Sequence, residues 1–176
     1  MGPNDSTSIR PTTRLRAYLV CWAVLVAFLA AGAAKAEEQP TAAMMEPVHG
    51  LVTFMSTMRR GEQPVVFARY GVCIVENFPP FLFCGVRAVA NWSAGFRAHA
   101  AEGNLRDLAA TFGEAHDFKR SGNRVYFSLP TTWTGLTQGK RFEEHGAWSF
   151  VLEQENIGWR IAGYAWAVTA YSETPR

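Results

Sequence analysis

The chain has 176 residues, 48% of them hydrophobic, with 17 basic and 15 acidic side chains. Its first 36 residues hold four of the basic groups and one of the acidic, so the remainder carries 13 and 14 and a net charge of −1. That balance excludes a nucleic-acid surface, which needs a basic surplus on one face, and a remainder of about 140 residues suits one domain with a real core and leaves little room for two.

The first segment has the order of an export signal. Arg10, Arg14 and Arg16 make a basic start, and Ala17–Ala34 follows without a charge. Ala34-Lys35-Ala36 then offers small residues where a signal peptidase reads them. The expectation is a signal peptide over 1–36, cleaved near Ala36, and a domain in the periplasm or outside the cell. The alternative is a retained membrane anchor over residues 17–34, because that run is close to the shortest that spans a bilayer. Cleavage leaves Cys73 and Cys84. In an exported chain these form either a disulfide or a pair of buried thiols.

Residues 37–45 read as a flexible lead-in. Glu46-Pro47 opens a helix, with Pro at its first position. Val48, Leu51, Val52, Met55 and Met58 follow at spacings of three and four, and Arg59-Arg60-Gly61 closes the helix. Pro64–Arg69 reads as a second, shorter helix. Val72–Glu76 is a strand, Phe78-Pro79-Pro80-Phe81 breaks it, and Leu82–Cys84 returns as its partner. A turn near Pro79 sets Cys73 across from Cys84. Gly85–Ala101 is a long helix, ended by Glu102-Gly103-Asn104. The rest is strand: Leu108–Lys119, Arg124–Thr137, a strand from Phe142 to Leu152, and Trp159–Tyr171, joined by turns rich in Gly and Asn. Residues 172–176 are a polar tail. Helices first and strands after argue an α+β domain over residues 46–171.

Glu76-Asn77-Phe78-Pro79-Pro80-Phe81, then Gly85, Ala88-Val89-Ala90 and Trp92, resemble a branch of the SnoaL-like proteins of the nuclear transport factor 2-like superfamily. So do Gly146–Leu152, Gly158-Trp159-Arg160-Ile161-Ala162 and Ala165-Trp166-Ala167. The resemblance implies a cone-shaped barrel: a bent antiparallel sheet packed on about three helices over a pocket. It implies a homodimer through the outer sheet face. It fixes no activity, since that superfamily holds enzymes and binding or assembly domains alike.

Glu76 is the candidate acid or base, at the strand end where enzymes of the superfamily place a carboxylate. A carboxyl in an apolar cone has a raised pKa and can shuttle protons. Tyr126 is the hydroxyl expected to work with it. Trp92, Trp133, His145 and Trp166 are candidate ligand-lining residues, suited to a flat apolar molecule. The sequence leaves open which strand parity faces the pocket. His116 and Asp117 are neighbours on one strand and should point to opposite faces. His49 and His99 read as surface or boundary residues of their helices. No metal-ligand spacing occurs, and neither a metal nor a cofactor is expected. The expected partner is a small apolar molecule, with no nucleic acid and no membrane once the signal is removed. Three functions remain open: a binding domain, a cofactor-independent lyase, isomerase or hydrolase, and a dimeric assembly module.

Overall fold

The computed structural model describes residues 38–57 and 63–174. The expected signal, its cleavage near Ala36, the anchor alternative over 17–34 and the Arg59-Arg60-Gly61 helix stop lie outside the described residues. Among the described residues, no helix is long and apolar enough to cross a membrane.

The first helix, α1, runs Ala42–Thr57 and buries Met44, Pro47, Val48, Leu51, Phe54 and Met55 on one face. It starts earlier than Pro47 predicts. Thr41 caps it, its hydroxyl oxygen accepting from the Met44 N–H at 3.4 Å. Pro47 therefore sits inside the helix, where its missing N–H leaves the carbonyl of exposed Ala43 to water. Residues 42–45 are thus helix and not lead-in, and Met44 belongs to the core.

The predicted short helix over Pro64–Arg69 is absent. The segment is drawn along the sheet instead. Phe67 bridges to Ile161 in parallel, the Ala68 N–H donates to the Ile161 carbonyl at 2.9 Å, and the Ile161 N–H donates to the Val66 carbonyl. It leads into β1 (Cys73–Val75), which pairs with β2 (Leu82–Cys84) in the expected hairpin. Cys73 and Cys84 face one another in register and are joined by a disulfide. The Pro79–Pro80 peptide bond in the connecting loop is cis.

The second helix, α2, spans Ala88–Glu102 and buries Ala88, Trp92, Ser93, Phe96 and Ala100. It is followed by β3 (Arg106–Phe112), β4 (His116–Ser121), β5 (Arg124–Thr137), β6 (Lys140–Glu155) and β7 (Gly158–Thr174). The predicted strand Leu108–Lys119 is two strands. Both pair with β5, and the break between them lies opposite Leu129 and Pro130. Proline donates nothing to a ladder, so only its carbonyl is used, accepting from the Gly113 N–H at 2.9 Å.

The seven strands form one curved sheet in the order β2-β1-β7-β6-β5-β3, with β4 also on β5. It is mixed and not purely antiparallel, because β1 runs parallel to β7. Gly163 makes that pairing possible: a Cβ there would lie 2.6 Å from the Cys73 carbonyl oxygen. The inner face carries Val125, Phe127, Leu129 and Trp133 of β5 and Phe142, Trp148, Phe150 and Leu152 of β6. They join Val48 and Leu51 of α1 and Trp92 and Phe96 of α2 in one core cluster, and each large side chain so buried contributes about 1.5–3 kcal/mol.

Candidate functional site

β1 ends at Val75, and the next residue, Glu76, keeps the buried parity of Ile74 beyond the end of the strand. It is 6% exposed. Three elements meet there. Ile74 of β1 is in register with Tyr164 of β7, which brings the tyrosine alongside. The Tyr164 hydroxyl donates a short hydrogen bond to Glu76 Oε1. From α2, Trp92 Nε1–H donates to the same oxygen at 2.9 Å. The Trp92 ring stands edge-on to Tyr164, with centroids 6.2 Å apart. Both side-chain donors to this carboxyl, a phenol and an indole, are neutral.

Burial is the largest influence on Glu76 and raises its pKa. The Tyr164 and Trp92 bonds and the Asn77 backbone N–H lower it, and the charge of Glu144 raises it again. The outcome is about 7, against an ordinary 4.5. Tyr164 is held well above the usual phenol range, first by burial and then by the neighbouring carboxylate. Near neutrality the glutamate, and not the phenol, is therefore the group that titrates.

Glu76 lines a cavity of about 270 Å³. Asn77, Phe78, Phe96, His99, Leu105, Leu108 and Met55 line it with Glu76, and Trp133, Phe142, Glu144, Trp166 and Tyr171 close it from β5, β6 and β7. Glu144 is half-buried, and its Oε1 accepts from Trp166 Nε1–H at 3.1 Å. Burial raises its pKa, and the Trp166 bond partly offsets this. His99 stacks on Phe78 with centroids 5.1 Å apart. Burial lowers its pKa, with Glu102 pulling the other way, so it is neutral at ordinary pH.

The expected site residues divide between the two faces of the sheet. Glu76, Trp133 and Trp166 share the cavity wall. Trp92 is fully buried behind Glu76 and holds it without lining the cavity. Tyr126 is corrected: it lies in a shallow hollow on the opposite face, 3.5 Å from Ser149 Oγ, because Val125 and Phe127 take the inward parity. His145 is corrected for the same reason. Phe142 and Trp148 point in, so His145 points out, within 2.7 Å of Glu143 and 3.0 Å of Thr132. His116 and Asp117 are both exposed, and Asp117 pairs with Lys119 at 2.8 Å. Among the described residues, no group of three or more His, Cys, Asp or Glu side chains could hold a metal ion.

Tyr164, Glu144, His99 and Tyr171 were not singled out from sequence as cavity groups. One signal for Glu144 was present: it shares the parity of Phe142 and Trp148 and is thus a carboxyl on an apolar stripe. Tyr164 had no such signal, since its place depends on a parallel pairing across 88 residues.

A bent mixed sheet packed on helices in this topology is the nuclear transport factor 2-like fold. Solved structures of that fold match about three quarters of the chain. A hexachlorocyclohexane dehydrochlorinase from Novosphingobium barchaimii superposes with a TM-score of 0.61 at 7% identity, covering 76% of this chain and 88% of its own. A scytalone dehydratase-like protein from Novosphingobium aromaticivorans gives 0.60 at 9% identity, covering 76% and 87%. A nuclear transport factor 2-like superfamily protein from Salmonella enterica gives 0.58 at 14% identity, covering 72% and 88%. No protein-family model and no curated protein matches the sequence. At these identities the likeness is one of fold.

Proposed function

We propose that the protein takes a small, largely apolar molecule into this cavity and that Glu76 exchanges a proton with it, as a cofactor-independent lyase or isomerase. The observation that carries the reading is a buried carboxyl with a pKa of about 7 on the wall of a 270 Å³ aromatic cavity. A general base or acid works best when its pKa is close to the working pH. Tyr164 and Trp92 fix Oε1, so the carboxyl is oriented before a ligand arrives. Structural neighbours named as a dehydrochlorinase and a dehydratase-like protein point the same way, since both names describe eliminations, which begin or end with a proton moved at carbon.

The test uses 2-tetralone, a bicyclic apolar ketone with acidic α-protons. Deuterium exchange at those positions, followed by proton NMR, should be accelerated by the protein, with a rate inflection near pH 7. Glu76→Gln should abolish the acceleration while leaving ketone binding intact. Binding without acceleration in the wild type would leave a carrier and remove the enzyme. Equal acceleration by wild type and variant would remove Glu76 from the chemistry.

The setting we propose is outside the cytoplasm, after loss of residues 1–36. The Cys73–Cys84 disulfide supports it, because such bonds persist in oxidising compartments. An intact N-terminus in the protein recovered from its own cell would overturn cleavage. A homodimer through the outer sheet face is the accompanying proposal, and a monomeric mass in solution would remove it.

A further inference from the structure

The cavity has an unusual balance of charge. Two carboxyls line it, Glu76 from the end of β1 and Glu144 from β6. Each is held by an indole N–H, from Trp92 and from Trp166. Among the described residues, no lysine or arginine lines the cavity, and the lone imidazole, His99, is neutral. Much of the remaining wall is aromatic: Phe78, Phe96, Trp133, Phe142, Trp166 and Tyr171.

We propose that the ligand of this cavity is an apolar molecule bearing a cationic nitrogen, an aromatic or branched organic ammonium, with its charge received by Glu76 and Glu144 and its alkyl groups by the ring faces. The inference rests on the reading that the cavity takes a ligand, and it adds the ligand's charge. Ring faces carry negative potential and attract a cation within about 6 Å of the centroid. The same wall disfavours an anion, which would meet two carboxyls and no described basic group. An ammonium ion supplies the counter-charge that the described wall lacks and is attracted more strongly in a partly dehydrated cavity than in water.

The proton balance follows from the same groups. Glu76 is partly protonated near neutrality, chiefly because burial opposes its charge and to a smaller degree because Glu144 repels it. Tyr164 and Trp92 face Glu76, and Trp166 faces Glu144. Tyr171 and neutral His99 complete the titratable groups of the wall. A bound cation favours both carboxylates, so binding expels a proton to solvent and tightens as pH rises through 7. No covalent step is involved.

The experiment is calorimetric titration with two isosteres, 4-hydroxyphenyltrimethylammonium and 4-tert-butylphenol. They differ by a quaternary nitrogen in place of a quaternary carbon, and the nitrogen has no proton of its own. The ammonium should bind at least about tenfold more tightly than the phenol at about pH 8, and the preference should shrink toward equality at about pH 5. Heats in buffers of differing ionisation enthalpy should report proton release near pH 7 for the ammonium only. Glu76→Gln/Glu144→Gln should lose the preference yet still bind the neutral isostere, which also shows that the variant is folded. Equal or tighter binding of the neutral isostere to the wild type at pH 8 overturns the cationic ligand and leaves the cavity as a binding site. Binding of neither molecule overturns both.

Discussion

Glu76→Gln separates the charge of the buried carboxyl from its hydrogen bonds. An amide oxygen can accept from Tyr164 and Trp92 as the carboxyl does, but it never ionises. The folded pKa of about 7 stands above the ordinary 4.5. At about 1.36 kcal/mol per pH unit, that gap corresponds to roughly 3 kcal/mol. The sign follows from proton counting. Below the ordinary value, folded and unfolded chains both hold the proton and nothing is lost. Between the two values the unfolded chain has released it while the folded chain keeps it, so stability falls as pH rises. Above the folded value both states are ionised and the loss is complete. Urea unfolding with the disulfide intact, repeated from about pH 4 to about pH 9, gives the difference between variant and wild type. That difference should climb from near zero at the acid end to about 3 kcal/mol in favour of Gln at the alkaline end. Taking a difference removes every group that titrates independently of Glu76, and the coupling to Glu144 stays in the signal as part of the Glu76 shift. A flat curve, or one favouring the wild type at high pH, would refute the claim that burial dominates the ionisation of Glu76.

Tyr164→Phe removes a donor that lowers the Glu76 pKa, so the inflection of the same pH curve should move above 7, with a stability cost of about 1–3 kcal/mol for the unmatched partner. Cys73→Ser with Cys84→Ser opens a loop of sequence separation 11. Loop-closure entropy gives about 3 kcal/mol for that loop, read as a lower urea midpoint. Gly146→Ala would put a Cβ 2.4 Å from the Ala167 carbonyl oxygen and 2.5 Å from the Trp166 ring. Overpacking of this kind costs about 1–3 kcal/mol, and it should loosen the Trp166 bond to Glu144 and weaken ligand binding in the cavity more than melting alone explains.

The sheet was largely legible because its strands obey a period of two. Val125, Phe127, Leu129 and Trp133 alternate with polar residues, and Phe142, Trp148, Phe150 and Leu152 do the same. β7 is different. The register slips beside Ala162, so Trp159 and Ile161 face inward on one parity and Tyr164 and Trp166 on the other. A second slip near Thr169 returns Tyr171 to the cavity side. No alternation rule applied to the strand as a whole can follow such changes, and that is why Tyr164 escaped notice. Tyr126 and His145 failed more simply. Each offers suitable chemistry, but the structure turns Val125 and Phe127 of β5 and Phe142 and Trp148 of β6 to the core and leaves Tyr126 and His145 on the outer face. Glu76 is legible through the family resemblance, which implies a carboxylate at the end of the first strand, and not through any period in the sequence. The helix near Pro64 was misread because its residues satisfy themselves on Ile161, a partner nearly a hundred positions away.

The parallel pairing of β1 with β7 also bears on the order in which the molecule assembles. Glu76 and Tyr164 stand 88 residues apart, and Ile74 meets its register partner only after the whole meander has closed. Contacts so distant along the chain form late and slowly, because each requires a large loop to be closed before it is stabilised. The hairpin of β1 and β2 can form at once, with its carboxyl still in water and ionising in the ordinary range. Docking of the last strand then dehydrates that carboxyl and makes it take up a proton. In pulse-labelled refolding near pH 6, proton uptake should coincide with protection of the Tyr164 amide, and uptake preceding that protection would contradict this order. The acid acquires its character in the final step of folding.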